Sequence, residues 1–381
     1  MVREIRNVAV LGATGSIGRQ TLDVIRRLGD RFRVFALAAG NNQVELTQQI
    51  AEFQPALIHL QDATSSLCRD HRCLSPEEMA AHPEVDIVVV ATPGNSGLMP
   101  TLAAARAGKI IALANKESLV SAGDIIMAEA ARSGGQIRPL DSEHSAIWQC
   151  LSGESTPPAR IILTASGGPF RETPSEKLKE ISVAAALAHP SWQMGDKVTI
   201  DSATLLNKGL EVIEAHRLFG VPLDRIEVLI HPQSIVHSLV EFADGTVKAQ
   251  LSCPDMRLPI QYALTYPERE LNPELPRLDW TTLRKLDFEP PDTERFPCLK
   301  LAIEAGEQGA TYPAVLCAAD EIAVALFLEG RLKFTDIATV IAGTLVEHSP
   351  PTRYPTLEDI LIADSWARQT ARHLATGEKP C

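Results

Sequence analysis

The chain has 381 residues, 45% of them hydrophobic and 22% charged, and its 36 basic and 48 acidic residues give a net charge of −12. This composition excludes a disordered chain, and the negative charge disfavours binding to duplex nucleic acid. The seven cysteines form no Cys-x-x-Cys pair, which favours reduced thiols in a cytoplasm. At about 150 residues per domain, the length predicts two or three domains. Neither a signal peptide nor a membrane-spanning apolar run is expected.

The first 140 residues alternate between short apolar runs and helix-like segments. This alternation predicts an α/β fold of βαβ units with a Rossmann-type parallel sheet. Helices are expected at 17–28 and 46–53. The predicted strands are 8–11, 34–39, 56–60, 85–91, 109–114 and 136–140.

The pattern changes after residue 141, where a central α+β catalytic domain is expected over 141–265. Its predicted elements are a strand at 161–164, one helix at 202–219, a strand at 227–230 and a β-hairpin of 235–242 and 246–251 that turns at Asp244-Gly245. Prolines then mark a predicted linker over 266–290. Residues 291–381 are expected to form a C-terminal helical bundle, with helices at 313–328, 335–346 and 356–374.

A glycine-rich turn, Gly12-Ala-Thr-Gly15-Ser-Ile-Gly18, joins the first predicted strand to the first helix. Such a turn lets a dinucleotide pyrophosphate approach the backbone and the helix N-terminus. An ordinary strand-to-helix turn is the alternative. The second strand ends at Gly40-Asn41-Asn42 without the acidic residue that usually holds an NAD ribose, which favours NADP. Since no basic residue stands in that loop, the source of 2′-phosphate recognition stays open.

Two acidic residues, Asp141 and Glu143, follow the sixth predicted strand. In an extended segment, residues i and i+2 lie on one side, so their oxygens would suit Mg²⁺ or Mn²⁺. A solvated acidic loop is the alternative. Their place at the carboxyl edge of the predicted sheet, where ligands bind in α/β folds, favours the metal site.

Two further segments carry polar groups that suit phosphate binding, and a third segment suits a lid. Asn207 and Glu211 are i and i+4 on the predicted helix, with Ser202 and Lys208 near them, although a surface ion pair is the alternative. Ser166-Gly-Gly168 can present N–H groups to an anion, or form an ordinary tight turn. The loop His189-Pro-Ser-Trp192-Gln-Met194-Gly195 suits a lid, unless Trp192 only anchors it to the core.

Taken in order, these segments resemble the 1-deoxy-D-xylulose 5-phosphate reductoisomerases over almost the whole chain. A series of matching motifs is far more specific than any one of them. The matching motifs are Gly12-Ala-Thr-Gly-Ser-Ile-Gly18, Ala114-Asn-Lys-Glu117, Asp141-Ser-Glu-His144, Ser166-Gly-Gly-Pro-Phe170, His189-Pro-Ser-Trp-Gln-Met194, Asp201-Ser-Ala-Thr204, Asn207-Lys-Gly-Leu-Glu211, His231-Pro-Gln-Ser234 and Pro254-Asp-Met256.

The resemblance implies a two-step reaction that starts from 1-deoxy-D-xylulose 5-phosphate. A retro-aldol and aldol sequence rearranges the carbon skeleton, and NADPH then reduces the aldehyde to give 2-C-methyl-D-erythritol 4-phosphate. This is the committed step of the non-mevalonate route to isoprenoids. The implied cofactors are NADPH and one divalent cation, Mn²⁺, Mg²⁺ or Co²⁺, and the implied assembly is a homodimer. Its candidate interface is the 236–251 hairpin.

The resemblance also assigns roles to individual residues. The implied metal ligands are Asp141, Glu143 and Glu211, and the implied catalytic residues are Lys116, Glu143 and His189. The implied substrate-binding residues are Lys116, Ser142 and Glu143 near the metal, Ser166, Ser202, Asn207 and Lys208 at the phosphate, His189 and Trp192 on a flap over 186–196, and Glu211. The implied cofactor-binding residues are Gly12, Thr14, Gly15, Ser16, Ile17, Gly40, Asn41, Asn42, Asn115, Glu117, Met194 and Gly195.

Two other functions remain to be weighed, a semialdehyde dehydrogenase with a thiol nucleophile and a dinucleotide sensor without catalysis. Neither needs three carboxylates together with a phosphate-binding set. The chain departs from the resembled enzymes at Asn41, where some have lysine, at Asp196 in the flap, and at Asp320, where asparagine is frequent. Asp320 is expected to lie far from the chemistry.

Overall fold

The computed structural model describes residues 5–62, 67, 71–188, 192 and 194–377. The chain forms two compact units. Unit 1 comprises Met1–Ser118, Ile126–Ser145 and Asp255–Arg277, and unit 2 comprises Leu119–Ile125, Ala146–Pro254 and Leu278–Cys381. No helix in the described part of the chain is long and apolar enough to cross a membrane.

Unit 1 contains a six-stranded sheet in the order β3-β2-β1-β4-β5-β6, and every neighbouring pair in it is parallel. Its central strands are apolar runs without exposed surface, as expected for a sheet covered on both faces. This confirms the predicted Rossmann-type sheet. The strands are β1 Arg6–Leu11, β2 Phe32–Ala39, β3 Leu57–Leu60, β4 Ile87–Val90, β5 Ile110–Leu113 and β6 Gln136–Pro139.

Helices connect and cover these strands. The helices that begin in unit 1 are α1 Ser16–Leu28, α2 Gln43–Phe53, α3 Pro76–Ala81, α4 Leu98–Arg106, α5 Lys116–Ser133, α6 Ser142–Leu151 and α10 Arg257–Thr265. Helix α10 packs against β5, β6 and α1. The buried guanidinium of Arg138 donates to the carbonyl of Ala263 on α10 over 2.8 Å, which ties the helix to β6.

The expected division of the chain places 141–265 in the catalytic domain and 266–290 in a linker. Helix α10 does not follow this division. In the structure, residues 255–277 lie in unit 1. Ion pairs extend this attachment, with Arg31 contacting Glu268 and Glu270. The sequence gives no sign of this, because the partners are more than 230 residues apart.

Unit 2 contains a mixed four-stranded sheet in the order β10-β9-β7-β8, in which only β7 and β8 are parallel. Strands β9 and β10 form the hairpin predicted around Asp244-Gly245, which confirms the α+β character of this region. The strands are β7 Arg160–Ala165, β8 Ile226–Ile230, β9 Val236–Glu241 and β10 Val247–Leu251. The helices are α7 Val183–Ala186, α8 Asp196–Ala203, α9 Leu206–Phe219, α11 Cys298–Gln308, α12 Tyr312–Leu328, α13 Asp336–Glu347 and α14 Leu357–Thr376.

The prediction of one helix over 202–219 is wrong. The helix is broken between α8 and α9 at Leu205, whose φ of 61° lies in the left-handed region. The Thr204 hydroxyl accepts a hydrogen bond from the N–H of Leu206 over 3.4 Å and so supports the break. A leucine rarely adopts this conformation unless tertiary packing imposes it, and Leu205 is buried.

The start of α14 offers a test of local stability. The Thr356 hydroxyl accepts the Asp359 N–H over 3.2 Å, and the Asp359 carboxylate accepts the Thr356 N–H over 2.8 Å, which makes a capping box. We expect Thr356→Ala to lower the free energy of unfolding by about 1 kcal/mol in urea denaturation. The matched control is Thr335→Ala, because the Thr335 side chain does not cap α13. Equal losses in the two variants would contradict the capping role.

Candidate active site

The turn after β1 can be built only with glycine at two positions. A Cβ atom at Gly12, where φ is 90°, would lie 2.5 Å from the carbonyl oxygen of Ala91. A Cβ atom at Gly18 would lie 2.2 Å from the carbonyl oxygen of Gly12. Helix α1 therefore begins in close contact with the turn. Its N-cap residue is Gly15, which has no side chain to accept a hydrogen bond from the first N–H groups of the helix. This leaves helix N–H groups for an anion. The structure brings together Gly12, Thr14, Gly15, Ser16 and Ile17 here.

The end of β2 lies beside this turn, because the N–H groups of Gly12 and Ala13 both donate to the carbonyl of Ala38. Gly40 and Asn41 are exposed after the strand. The Asn42 side chain caps α2 by accepting the Glu45 N–H over 3.1 Å. Asn42 thus has a structural role in addition to its proposed contact with the cofactor.

Asn115, at the end of β5, is buried and ties two strand ends together. Its amide nitrogen donates to the carbonyls of Thr92 over 2.8 Å and Gly94 over 2.7 Å, and its oxygen accepts the Ser118 N–H over 3.0 Å. These contacts hold the loop after β4 against the start of α5. Glu117, in the first turn of α5, is also buried and accepts from the Asn115 amide. Both residues therefore lie at the carboxyl edge of the sheet.

Two acidic residues and a lysine meet at the end of β6. The Lys116 ammonium lies 2.9 Å from the Asp141 carboxylate, and both side chains are mostly buried. Carboxylate oxygens of Asp141 and Glu143 lie within 4.8 Å of each other. The Ser142 hydroxyl donates to Glu143, and His144 Nδ1 lies 4.0 Å from Asp141. The expectation of an extended segment is wrong, because Glu143 lies in the first turn of α6.

In unit 2, a tight turn follows β7. Gly167 and Gly168 have φ values of 83° and 69°, and the Gly168 N–H donates to the Ser166 hydroxyl over 3.2 Å. A Cβ atom at Gly168 would lie 2.8 Å from the carbonyl oxygen of Ser202. The turn therefore packs against the last turn of α8, so Ser166 and Ser202 lie on adjoining segments.

The first turns of α9 carry a hydrogen-bonded acid, amide and ammonium. Asn207 Nδ2 donates to Glu211 Oε1 over 2.5 Å, and Lys208 Nζ contacts Glu211 Oε2. Lys208 and Glu211 are almost fully buried. The predicted i and i+4 geometry of Asn207 and Glu211 is confirmed, and the alternative of an exposed surface pair is wrong.

The expected flap over 186–196 lies partly outside the described residues, and His189 is one of those not described. The Trp192 ring packs edge-on against His237, with the centroids 6.2 Å apart. Met194 is half-buried, and Gly195 is the N-cap residue of α8. Sequence reasoning missed His237, which is buried on β9 and whose Nε2 lies 2.9 Å from the Ser252 hydroxyl, because no local pattern marks it.

Sequence reasoning also misplaced Asp320. On α12, its carboxylate lies 2.5 Å from Lys197 Nζ, and Lys197 lies 2.6 Å from Asp201, the neighbour of Ser202. Asp320 is therefore close to a proposed substrate-binding segment, and the expectation that it lies far from the chemistry is wrong. Lys197 and Asp320 are 123 residues apart in sequence, so no local pattern could pair them.

Three family models match the chain. They describe the 1-deoxy-D-xylulose 5-phosphate reductoisomerase at residues 8–123, its C-terminal domain at 137–219, and the DXP reductoisomerase C-terminal domain at 251–370. The 1-deoxy-D-xylulose 5-phosphate reductoisomerase of Thermomicrobium roseum is 55% identical over 374 residues, which cover 96% of this chain and 97% of the relative. The chain belongs to the 1-deoxy-D-xylulose 5-phosphate reductoisomerase family.

Other reductoisomerases are similar over nearly the same length of the chain. The enzyme of Pelotomaculum thermopropionicum is 52% identical over 96% of this chain and 97% of its own length. A crystal structure of DOX-P reductoisomerase in complex with NADPH, fosmidomycin and magnesium aligns with a TM-score of 0.92 at 40% identity, covering 98% of this chain and 100% of that one. The reductoisomerase of Zymomonas mobilis in complex with NADPH aligns with a TM-score of 0.89 at 42% identity, covering 98% and 99%.

Proposed function

We propose that this reductoisomerase converts 1-deoxy-D-xylulose 5-phosphate to 2-C-methyl-D-erythritol 4-phosphate with NADPH and a divalent cation. One observation in unit 1 carries this. The dinucleotide-type turn and the Asp141–Glu143 pair both lie at the carboxyl edge of one parallel sheet, after β1 and β6. In open α/β sheets this edge binds ligands, so a hydride donor and a cation site share it.

NADPH is assigned to the turn Gly12–Gly18 and to the strand ends beside it. The pyrophosphate faces the uncapped start of α1, and the absence of an acidic residue at Gly40, Asn41 and Asn42 avoids repulsion of a 2′-phosphate. Asn115 and Glu117 serve the nicotinamide and ribose side, as do Met194 and Gly195. Because the Asn115 amide is already committed to Thr92 and Gly94, its contribution is to hold the loop that the cofactor contacts.

The divalent cation is assigned to Asp141, Glu143 and Glu211. Carboxylate oxygens are the ligands that Mg²⁺ and Mn²⁺ prefer, so the donor set fits. When bound, the ion supplies Lewis-acid stabilisation of negative charge on the ketone and hydroxyl oxygens. Lys116, which contacts Asp141, and Ser142, which contacts Glu143, are assigned to the substrate near this end. Lys116 and Glu143 also act on the reacting atoms, together with His189.

The phosphate of the substrate is assigned to Ser166, Ser202, Asn207 and Lys208. Ser166 and Ser202 lie on adjoining segments, and the buried Lys208 ammonium supplies charge where little water competes. Clamping the substrate at its phosphate and at its oxygenated end fixes the middle for reaction. His189 and Trp192 on the flap exclude water from the aldehyde.

We also propose a homodimer in a cytoplasm and a functional division into 1–140 for NADPH, 141–265 for catalysis, 266–290 as linker and 291–381 as helical domain, in which residues 255–277 are attached to unit 1 and do not form a free linker. The support for dimerisation is β10, a half-exposed edge strand that pairs with β9 alone among the residues that the structure describes. An open strand edge offers unpaired N–H and C=O groups to a second copy.

The alternative of a semialdehyde dehydrogenase needs a reactive thiol. Burial raises the pKa of the Cys150 thiol to about 11, and burial with the charges of Asp320 and Asp201 raises the pKa of the Cys298 thiol. Both thiols stay protonated at neutral pH and are poor nucleophiles.

The decisive test follows NADPH absorbance with 1-deoxy-D-xylulose 5-phosphate in the presence of Mn²⁺ and then EDTA. We expect consumption with the metal and at least about a hundredfold less with EDTA, because charge stabilisation is the main catalytic term. The organic product identifies the reaction. Folded protein that binds NADPH but consumes none would contradict the enzyme and favour the sensor.

A further inference from the structure

Outside the proposed site, the described part of unit 2 holds a buried cluster of one ammonium and two carboxylates. Lys197 on α8 contacts Asp201 over 2.6 Å and Asp320 over 2.5 Å. Asp201 is 1% exposed and Asp320 has no exposed surface. If both acids were ionised, the cluster would carry a net buried charge of −1, an arrangement that low-dielectric surroundings disfavour.

The cluster lies directly beside the segment assigned to the substrate's phosphate. Asp201 precedes Ser202, and Lys197 is in the first turn of α8, just after Gly195. Cys298 on α11 interacts with the side chain of Thr204, at the break between α8 and α9. Any change in charge here therefore acts on the backbone that carries Ser202 and leads into Asn207.

Five groups set the charge balance around Asp320 in the described residues. Lys197 and Asp201 face it from α8, Cys298 faces it from α11, and Glu321 follows it on α12 while pairing with Arg368 of α14. Burial and the negative charge of Asp201 raise the pKa of Asp320 well above its ordinary value, although Lys197 opposes them. Asp320 Oδ1 has no hydrogen-bond partner among these residues, so a proton can reside there without breaking a contact.

We propose that Asp320 is a positioning residue that holds α8 through Lys197 while protonated, and that its deprotonation as the pH rises weakens the binding of the substrate's phosphate. The proposal rests on the assignment of Ser202 and Asn207 to that phosphate. When Asp320 is ionised, the cluster carries a net charge of −1. Helix α8 must then shift or admit water to stabilise that charge. Asp320 is not among the residues assigned to the reacting atoms, so the effect falls on KM more than on kcat.

The test is the pH dependence of KM for 1-deoxy-D-xylulose 5-phosphate, measured on the holoenzyme with saturating NADPH and Mg²⁺. The substrate phosphate is fully ionised above about pH 7, since its second pKa is about 6. Over the pH range in which the stability of the wild type falls relative to that of Asp320→Asn, we expect KM of the wild type to rise about threefold or more and KM of Asp320→Asn to stay level, because asparagine keeps the shape without the charge. Glu329→Gln, at the exposed end of the same helix and paired with Arg331, keeps the wild-type profile.

Thermal unfolding gives a second readout that does not depend on activity. Because the folded state binds the Asp320 proton more tightly than the unfolded state, wild-type stability falls as pH rises from about 4 through the folded pKa. Asp320→Asn is therefore more stable than the wild type at alkaline pH, and the difference shrinks as the pH falls.

Parallel melting temperatures across pH, or matching KM profiles in Asp320→Asn and the wild type, would overturn the proposal. A gain in stability without a change in the KM profile would also overturn the positioning role. Ser202→Ala separates this from the phosphate assignment. If Ser202→Ala leaves KM unchanged, the phosphate assignment fails. If it raises KM while Asp320→Asn follows the wild type, only the Asp320 proposal fails.

Discussion

Glu211→Gln is expected to lower kcat/KM by about a thousandfold or more, because the variant removes a charged metal ligand and leaves the other proposed ligands in place. Glu211 is almost fully buried and accepts from Asn207 and Lys208, so its carboxylate is fixed in orientation before any ion binds. Mn²⁺ binding, followed by electron paramagnetic resonance, should weaken with the activity. NADPH affinity should not change.

Loss of the Glu211 charge also leaves the buried Lys208 without its acidic partner, which destabilises folded proteins by several kcal/mol in comparable cases. Glu211→Asp keeps the charge and separates the two effects. It should remain folded and still bind Mn²⁺, although more weakly. Glu227→Gln is the matched control, since Glu227 is half exposed and pairs with Arg160 in the same unit. Wild-type Mn²⁺ affinity in Glu211→Gln would exclude Glu211 as a ligand.

Gly18→Ala should weaken NADPH binding by about tenfold or more and lower the free energy of unfolding by about 1–3 kcal/mol. The added methyl group would lie 2.2 Å from the Gly12 carbonyl and 2.6 Å from Ala13 Cα, both backbone atoms that cannot rotate away. Helix α1 must therefore move away from the turn, which displaces the N–H groups assigned to the pyrophosphate.

Fluorescence titration with NADPH and urea denaturation would measure these two losses. The control is Arg19→Ala, one residue further along α1, where the side chain is exposed and its removal should change stability by less than about 0.5 kcal/mol. If Gly18→Ala bound NADPH as tightly as the wild type, the turn would not be the pyrophosphate site.

Much of the sheet architecture could be predicted because its strands are recognisable from the local sequence. Val8–Leu11 and Ile87–Val90 are continuous apolar runs, each followed within a few residues by glycine or proline, and such runs suit a parallel sheet covered on both faces. The Asp244-Gly245 turn set the register of its hairpin in the same way. The contact between Asn207 and Glu211 followed from helix periodicity alone.

The features that could not be predicted depend on contacts distant in sequence. Leu205 takes a left-handed conformation that its side chain disfavours, so only the packing around it dictates the break between α8 and α9. The same holds for Asp320, whose partner Lys197 lies on another helix. Glu143 was placed in a strand-like segment because two acids at i and i+2 carry no helical signature of their own.

The course of protein synthesis is constrained by the segment Asp255–Arg277. The six strands of unit 1 end at residue 139, whereas this segment begins at residue 255. The ribosome therefore synthesises the strands long before it synthesises α10. Until then β5 and β6 lack the helix that packs on them, and the Arg138 guanidinium lacks the Ala263 carbonyl. A nascent chain that stops before residue 265 therefore exposes apolar sheet surface, to which chaperones or other chains can bind before folding is complete.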